Sequence, residues 1–386
     1  MECYLDNSAT TPVCPEAADA VRDALLRTWG NPSSLYRKGI QAESTVEDAR
    51  EAVAARLGCR SEEIVFTSGG TESNNIAILG TVQAMRRFGR RVVISSVEHS
   101  SVDACARQLE SQGVEVIRLP VDREGRVPVQ ALYNAIDRNT VLVSVMTVNN
   151  EVGTIQPVSE IRRAVRAAGA PAMIHTDAVQ AFGKLPGLRP AALGVDLMSV
   201  SSHKVHGPKG AGALYVRGGY RAGGAVRISA RTFGGLQEKT LRPGTEPVPA
   251  IVGFGAAVRA LPAAEEAWTH MQSLREYLLQ GLRDLGGVRV NSPADGLPYI
   301  VHISTGIPSE PMMNFLSARE IYVSAGSACA KGHRSHVLRS MGLDEAEMAS
   351  ALRISFSHRT TTDELDAFLS ALREGQRSIR SAIRFQ

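Results

Sequence analysis

Short runs of Val, Ile and Leu recur between residues 60 and 217, each followed by a stretch with helical spacing. Segments 64–68, 91–96, 114–119, 141–148, 172–176, 197–201 and 213–217 predict seven strands. Several are continuously apolar, as strands covered on both faces must be. Segments 72–88 and 158–168 predict two of the intervening helices. This alternation predicts an α/β fold with a mostly parallel seven-stranded sheet covered by helices.

After residue 262 the pattern changes. Trp268, Met271, Leu274, Leu278, Leu282 and Leu285 recur at gaps of three and four, the mark of a long amphipathic helix. Short strands are expected at 288–291, 299–304, 321–324 and 352–356, and a helix over 335–341. A final helix should begin near Thr361, with Glu364 completing a capping box. These elements predict a smaller α+β lobe. The expected division is a large domain over 14–260 and a small one made of 1–13 and 261–386.

A chain of 386 residues, 44% of them hydrophobic, can build more than one core. The formal charge of +4 is spread along the chain rather than gathered on one face, which argues against direct nucleic-acid binding. The densest basic stretch runs from Lys331 to Arg339. Five cysteines at irregular spacing, without a CxxC pair, argue against a disulfide framework and for a reducing compartment, with the cytoplasm as the expected location. There is no segment of the length and apolarity expected of a membrane span, and no leader is expected.

In open parallel sheets ligands bind beyond the carboxyl ends of the strands. The first predicted strand ends in Ser68-Gly69-Gly70-Thr71-Glu72, opening a helix. Glycines that admit close approach, followed by a helix N-terminus, suit a phosphate; a tight turn capped by Thr71 would read the same way. Later strand ends supply Glu98-His99, Asn149-Asn150-Glu151, His175-Thr176-Asp177 with Gln180, and Ser201-Ser202-His203-Lys204. The chain holds six lysines against 37 arginines, so a retained lysine suggests amine chemistry that arginine cannot perform. Lys204 follows an apolar strand, where burial would free its amine for Schiff-base formation. Asp177 could then pair with a pyridinium nitrogen. On residues alone, Lys204 could equally bind a phosphate or a carboxylate.

These motifs occur in a fixed order along nearly the whole chain: Tyr4–Thr11, Asn31-Pro32-Ser33-Ser34, Thr67–Asn75, Glu98-His99, Asn149–Gly153, Asp177–Gln180, Ser202–Gly210, Arg242–Thr245 and Gly326–Cys329. The set resembles the cysteine desulfurases, fold-type I pyridoxal-phosphate enzymes of the class V aminotransferase group. The resemblance implies pyridoxal 5'-phosphate as cofactor, Lys204 as its Schiff-base lysine, Asp177 on the ring nitrogen, Gln180 on the ring oxygen and His99 stacked on the ring. It implies Gly70, Thr71, Ser201 and His203 at the phosphate, and Thr245 reaching the phosphate of a neighbouring subunit in a homodimer. Asn150 and Arg353 would grip the carboxylate of L-cysteine. Alternation along 351–356 supports this, since Leu352, Ile354 and Phe356 share one face and Arg353 takes the other.

Cys329 would be the sulfur-accepting nucleophile, with its basic neighbours favouring the thiolate. Sulfur would pass to an acceptor protein, an iron–sulfur scaffold or a tRNA-thiolation enzyme. The absence of an Arg-x-Gly-His-His-Cys pattern favours the first subclass of the family, while His206 stands where a tyrosine is common. The competing reading is an aminotransferase or another lyase of the same fold, which needs Lys204 and Asp177 but no cysteine. A metal site at Cys329, His333 and His336 lacks a fourth ligand nearby, and no metal is expected.

Overall fold

The computed structural model describes residues 2–326 and 335–384. Its strands, in chain order, begin with β1 (Cys3–Tyr4), β2 (Ile64–Thr67), β3 (Arg91–Ser95), β4 (Glu115–Leu119), β5 (Thr140–Ser144) and β6 (Met173–Asp177). They continue with β7 (Leu197–Ser201), β8 (Gly212–Val216), β9 (Arg289–Val290), β10 (Ile300–Ser304), β11 (Ile321–Tyr322) and β12 (Ala351–Ser355). Seven of them form one sheet in the order β2-β8-β7-β6-β5-β3-β4. β8 runs antiparallel to both β2 and β7, and the remaining pairings are parallel. The carboxyl ends of β2, β3, β5, β6 and β7 therefore meet along one edge. β2, β5, β7 and β8 are buried at every position, as expected for strands covered on both faces.

The predicted strand over 141–148 stops at Ser144. The chain beyond it stays buried and still donates toward β6, with Val145 N 3.3 Å from His175 O and Thr147 N 2.9 Å from Asp177 O. Asn149 then turns the chain, its Oδ1 accepting from Glu151 N and Val152 N at 2.9 and 3.0 Å.

The helix Gly70–Met85 begins two residues earlier than expected. Gly69 makes this possible, because its φ of 155° is one that side-chain-bearing residues rarely adopt. Behind it, a Cβ on Gly212 would stand 2.6 Å from Gly69 Cα, so β8 and the turn after β2 touch backbone to backbone.

The carboxyl-terminal third carries the expected amphipathic helix, Ala264–Leu285, which buries Met271, Leu274, Leu278 and Leu282. β12-β10-β9 form an antiparallel sheet, and β1 pairs in parallel with β11. The first residues of the chain thus belong with its last third. Bridges Asp6–Ser355 and Ser324–Arg353 bring both segments alongside β12. The last helix, Thr362–Arg384, opens with the expected box: Thr361 N donates to Glu364 Oε2 at 2.8 Å and Glu364 N to Thr361 Oγ1 at 3.4 Å. His336–Ser340 is capped by Ser335. Among the described residues no single helix is long and apolar enough to cross a membrane.

Candidate active site

The strand ends open into a cavity of about 220 Å³. Lys204 follows β7 in a single tight turn, Ser202–Lys204. Residues 7–14 strap this turn from outside. Thr11 N donates to His203 O at 2.9 Å, and His206 N donates to Thr11 Oγ1 at 2.7 Å. The Lys204 amine reaches Ser8 O at 2.5 Å and Ala9 O at 2.7 Å.

Asp177, the last residue of β6, enters the cavity as a braced carboxylate. Its Oδ1 accepts from Val179 N at 2.9 Å and its Oδ2 from Asn74 Nδ2 at 2.7 Å. Asn74 also donates to Ser101 Oγ at 2.9 Å, and Ser101 Oγ lies 2.8 Å from His99 Nδ1. One polar chain thus links Asp177 to His99. Ser101 N donates to His99 Nδ1 at 3.2 Å, so the neutral ring carries its proton on Nε2. Burial lowers the His99 pKa, outweighing the opposing pull of Asp177, and the charge of Lys204 adds a smaller push in the same direction as burial.

The helix Gly70–Met85 presents its N-terminus to the same space. Gly69 provides no side-chain cap, leaving the first-turn amides to an incoming anion. Thr71 is not the cap; Glu72 instead takes the N–H of Ser68. A Cβ on Gly70 would stand 2.7 Å from Val179 Cγ2, so only glycine fits. Ser201 Oγ is buried beside this turn without a hydrogen-bond partner among the described residues. His203 completes the corner, its pKa pushed down to about 4 by burial and then by Lys204.

On the far wall stands Arg353 from β12, 1% exposed. Its Nη1 donates to Asn150 O at 3.0 Å and its Nη2 to Asp6 Oδ1 at 2.6 Å, while its Nε is buried without a partner among the described residues. A guanidinium at the wall of a cavity is a planar fork that suits a carboxylate.

The residues present fit pyridoxal phosphate. An amine, an anchored carboxylate, an amide donor and an unpartnered hydroxyl at a helix N-terminus surround one cavity, and they match its aldehyde, ring nitrogen, phenolic oxygen and phosphate. Residues 3–368 match the family described as Aminotransferase class-V. The chain belongs to the class V aminotransferases. Within them, the NifS/IcsS protein homolog of Lactobacillus delbrueckii subsp. bulgaricus is 42% identical, covering 96% of each chain. The cysteine desulfurase IscS of Methanosarcina thermophila is 40% identical over 98% of this chain and 93% of its own. The solved structure of a NifS-like protein superposes with a TM-score of 0.90 at 38% identity, covering 97% of this chain and 99% of that one.

Ten positions expected from the sequence line this class V cavity: Gly70, Thr71, His99, Asn150, Asp177, Gln180, Ser201, His203, Lys204 and Arg353. Thr245 is exposed and does not line the cavity of its own chain. Cys329, with Lys331, His333 and Arg334, lies outside the described residues. The ends of that segment meet at one carboxylate: Ser335 Oγ donates to Glu151 Oε2 at 2.6 Å, and a Cβ on Gly326 would stand 3.3 Å from the same oxygen. Glu151 adjoins Asn150 of the cavity. His336 Nε2 lies 3.0 Å from Glu98 O.

Other polar strand ends do not reach the cavity. His175 points sideways within the sheet, 2.8 Å from Ser144 Oγ and 3.0 Å from Ser199 Oγ, and burial pushes its pKa down to about 3. Burial pushes Glu98 up to about 8; its Oε1 accepts from Ser95 Oγ and Met146 N, so it fastens β3 to the segment after β5. Sequence reasoning missed Asp6, Asn74, Ser101 and the carbonyls of Ser8 and Ala9. Asn74 carried a usable signal, since a buried amide in a largely apolar helix must have a partner.

Proposed function

We propose that this chain is a pyridoxal-phosphate-dependent cysteine desulfurase, which converts L-cysteine to L-alanine and passes the sulfur to Cys329. The single observation that carries the reading is the cavity's three charges. Lys204, the braced Asp177 carboxylate and Arg353 line one cavity.

When bound, the cofactor supplies an electron sink that weakens bonds at the substrate's α-carbon. Lys204 would hold it, and its amine would be the base that takes the α-proton. Asp177 keeps the ring nitrogen protonated, Gln180 donates to the ring oxygen and His99 covers one face, with its Nε2–H available for proton transfer. Ser201, Thr71, His203 and the Gly70 amide hold the phosphate. Arg353 and Asn150 orient the substrate carboxylate. The Cys329 thiolate attacks the substrate sulfur: the Cβ–S bond breaks, a persulfide S–S bond forms, and the carbon fragment takes up protons to leave as alanine.

The other cysteines suit this role poorly. Burial raises the thiols of Cys3 and Cys14, pushes Cys105 up to about 11 and Cys59 up to about 12, so none supplies a thiolate near neutrality. The persulfide then passes to an acceptor protein, an iron–sulfur scaffold or a tRNA-thiolation enzyme. Such thiol chemistry requires reducing surroundings, and the cytoplasm supplies them.

A homodimer in which Thr245 completes the partner's phosphate site accounts for an apolar surface nearby. Leu35, Tyr36, Phe233 and Leu236 are all more than 60% exposed, and Gln237 Nε2 joins the two segments at Ser33 Oγ, 3.5 Å away. The division into a large domain over 14–260 and a small one from 1–13 and 261–386 is consistent with β1 pairing to β11.

The test is release of sulfide and alanine from L-cysteine with a reductant present, comparing wild type with Cys329→Ser. Loss of both products with an unchanged cofactor spectrum supports the persulfide route. Full activity in the variant would instead indicate a lyase or aminotransferase that does not use the thiol.

A further inference from the structure

Lys184 is 7% exposed, and no carboxylate is within reach among the described residues. Its only hydrogen-bond partner among those residues is Gln180 Oε1, 3.4 Å from Nζ, and the ammonium stands 5.8 Å from the centre of the Tyr299 ring. Gln180 Nε2 donates to Ser8 O at 2.9 Å, and the same carbonyl accepts from Lys204 Nζ at 2.5 Å. A continuous polar chain therefore runs from Lys184 through the Gln180 amide and Ser8 O to Lys204.

An amide can present either end to a cavity. Here a cation behind it fixes the choice: Oε1 faces Lys184, so Nε2 faces Ser8 and the site. We propose that Lys184 is a positioning residue, whose ammonium locks the Gln180 amide with its donor toward the cofactor's ring oxygen and holds a positive charge behind that oxygen. The inference rests on the cofactor reading of the cavity given above.

Among the described residues, only the Tyr299 ring and the Gln180 oxygen stabilise Lys184 as a charge. A buried cation without a carboxylate costs stability, and an apolar side chain of similar length would pack there more cheaply. This chain has 37 arginines and only six lysines, and two of those six, Lys184 and Lys204, stand buried or half-buried along this one chain of hydrogen bonds. A lysine can lose its charge where an arginine cannot. Burial, then Lys204 and Arg353, pushes the Lys184 pKa down to about 7. Apart from Lys204, the other titratable groups of the adjoining pocket add no charge near neutrality. Burial lowers the imidazoles of His206 and His358 and raises the Tyr299 phenol. Lys184 is therefore charged below about pH 7 and neutral above it, and its help to the anionic cofactor should fade across that point.

The experiment measures pyridoxal phosphate binding to apoprotein, by visible absorbance and equilibrium dialysis, from pH 5.5 to 9. It compares wild type, Lys184→Met and Lys184→Arg. Below pH 7 the Met variant should bind on the order of tenfold more weakly than wild type, the loss expected of one charge-assisted hydrogen bond. The gap should narrow above pH 7. The Arg variant should keep the acid-side advantage to pH 9. The Met apoprotein should melt at or above the wild-type temperature, because it buries no charge; if it melts far below, the Arg profile decides. Equal binding by wild type and Met at every pH, or an Arg profile that falls like wild type, overturns the proposal. A wild type that takes up no cofactor overturns instead the reading of the site on which the proposal rests.

Discussion

Arg353 Nη2 stands 2.6 Å from Asp6 Oδ1, while Nε of the same guanidinium is buried with no partner among the described residues. One carboxylate thus already holds the fork and leaves its inner edge for another. Replacing Arg353 with Lys removes the planar fork and should raise KM for cysteine about tenfold to a hundredfold, the range for a lost hydrogen bond to a charged group. Replacing Asp6 with Asn keeps the contact but removes the competing negative charge. KM should then fall by a factor of about 5, with kcat little changed, since two partly buried charges interact by roughly a kilocalorie. Steady-state kinetics on both variants checks the pair. A rise in KM for Asp6→Asn would mean that Asp6 acts by orienting the fork alone.

Asn74 spends both amide hydrogens on Asp177 and Ser101. Asn74→Ala leaves the buried Asp177 carboxylate short of a donor and should weaken cofactor retention about tenfold. Asn74→Asp should do more harm, because a second carboxylate would face Asp177 at hydrogen-bond distance. Dialysis against buffer, followed by the visible spectrum, reads both. Retention equal to wild type in the Asp variant would show that Asp177 does not depend on this brace.

The sheet was legible because its strands are continuous apolar runs, and the edge where chemistry gathers followed from their direction. Lys204 and Asp177 stood out because each follows such a run. Asp6 and Lys184 did not, since their roles depend on contacts across the fold: Asp6 meets Arg353 across 347 residues, and Lys184 sits one turn beyond Gln180 with no periodicity to mark it. Nor could spacing distinguish the sideways His175 from the inward Asp177 two residues later. Both side chains share one face of β6, and only the neighbouring Ser144 and Ser199 hydroxyls keep the histidine within the sheet.

The segment bearing Phe233 and Leu236 is pinned to the sheet. Arg50 grips Glu238 with two bonds of 2.9 and 2.8 Å, and Glu238 Oε2 also accepts from Phe66 N at 2.9 Å. An exposed apolar segment held this firmly suits the proposed dimer interface. Phe233→Asp with Leu236→Asp should shift the molecule from dimer to monomer in sedimentation. Burial of two such side chains contributes about 1.5–3 kcal/mol each, so the dissociation constant should rise at least a hundredfold. If Thr245 completes a neighbour's phosphate site as proposed, the monomer should also hold the cofactor more weakly. An unchanged sedimentation coefficient would remove this patch from the interface.

His175 gives stability a definite dependence on pH. Burial holds its native pKa near 3, well below the ordinary value of 6.5. Between these values the unfolded chain binds a proton that the native protein refuses, so stability is full above pH 6.5 and is lost as pH falls toward 3. One such group contributes a slope of about 1.4 kcal/mol per pH unit inside that window. His302 adds to it in the same direction, its pKa pushed down to about 3 by burial and then by Arg353. His175→Gln can still bridge the Ser144 and Ser199 hydroxyls without titrating. Urea unfolding of the apoprotein at a series of pH values should show a shallower loss for the variant between pH 6 and 4, by about one proton's worth of slope. Parallel curves for wild type and variant would mean that His175 takes up its proton in the folded protein, which would require water to reach the middle of the sheet.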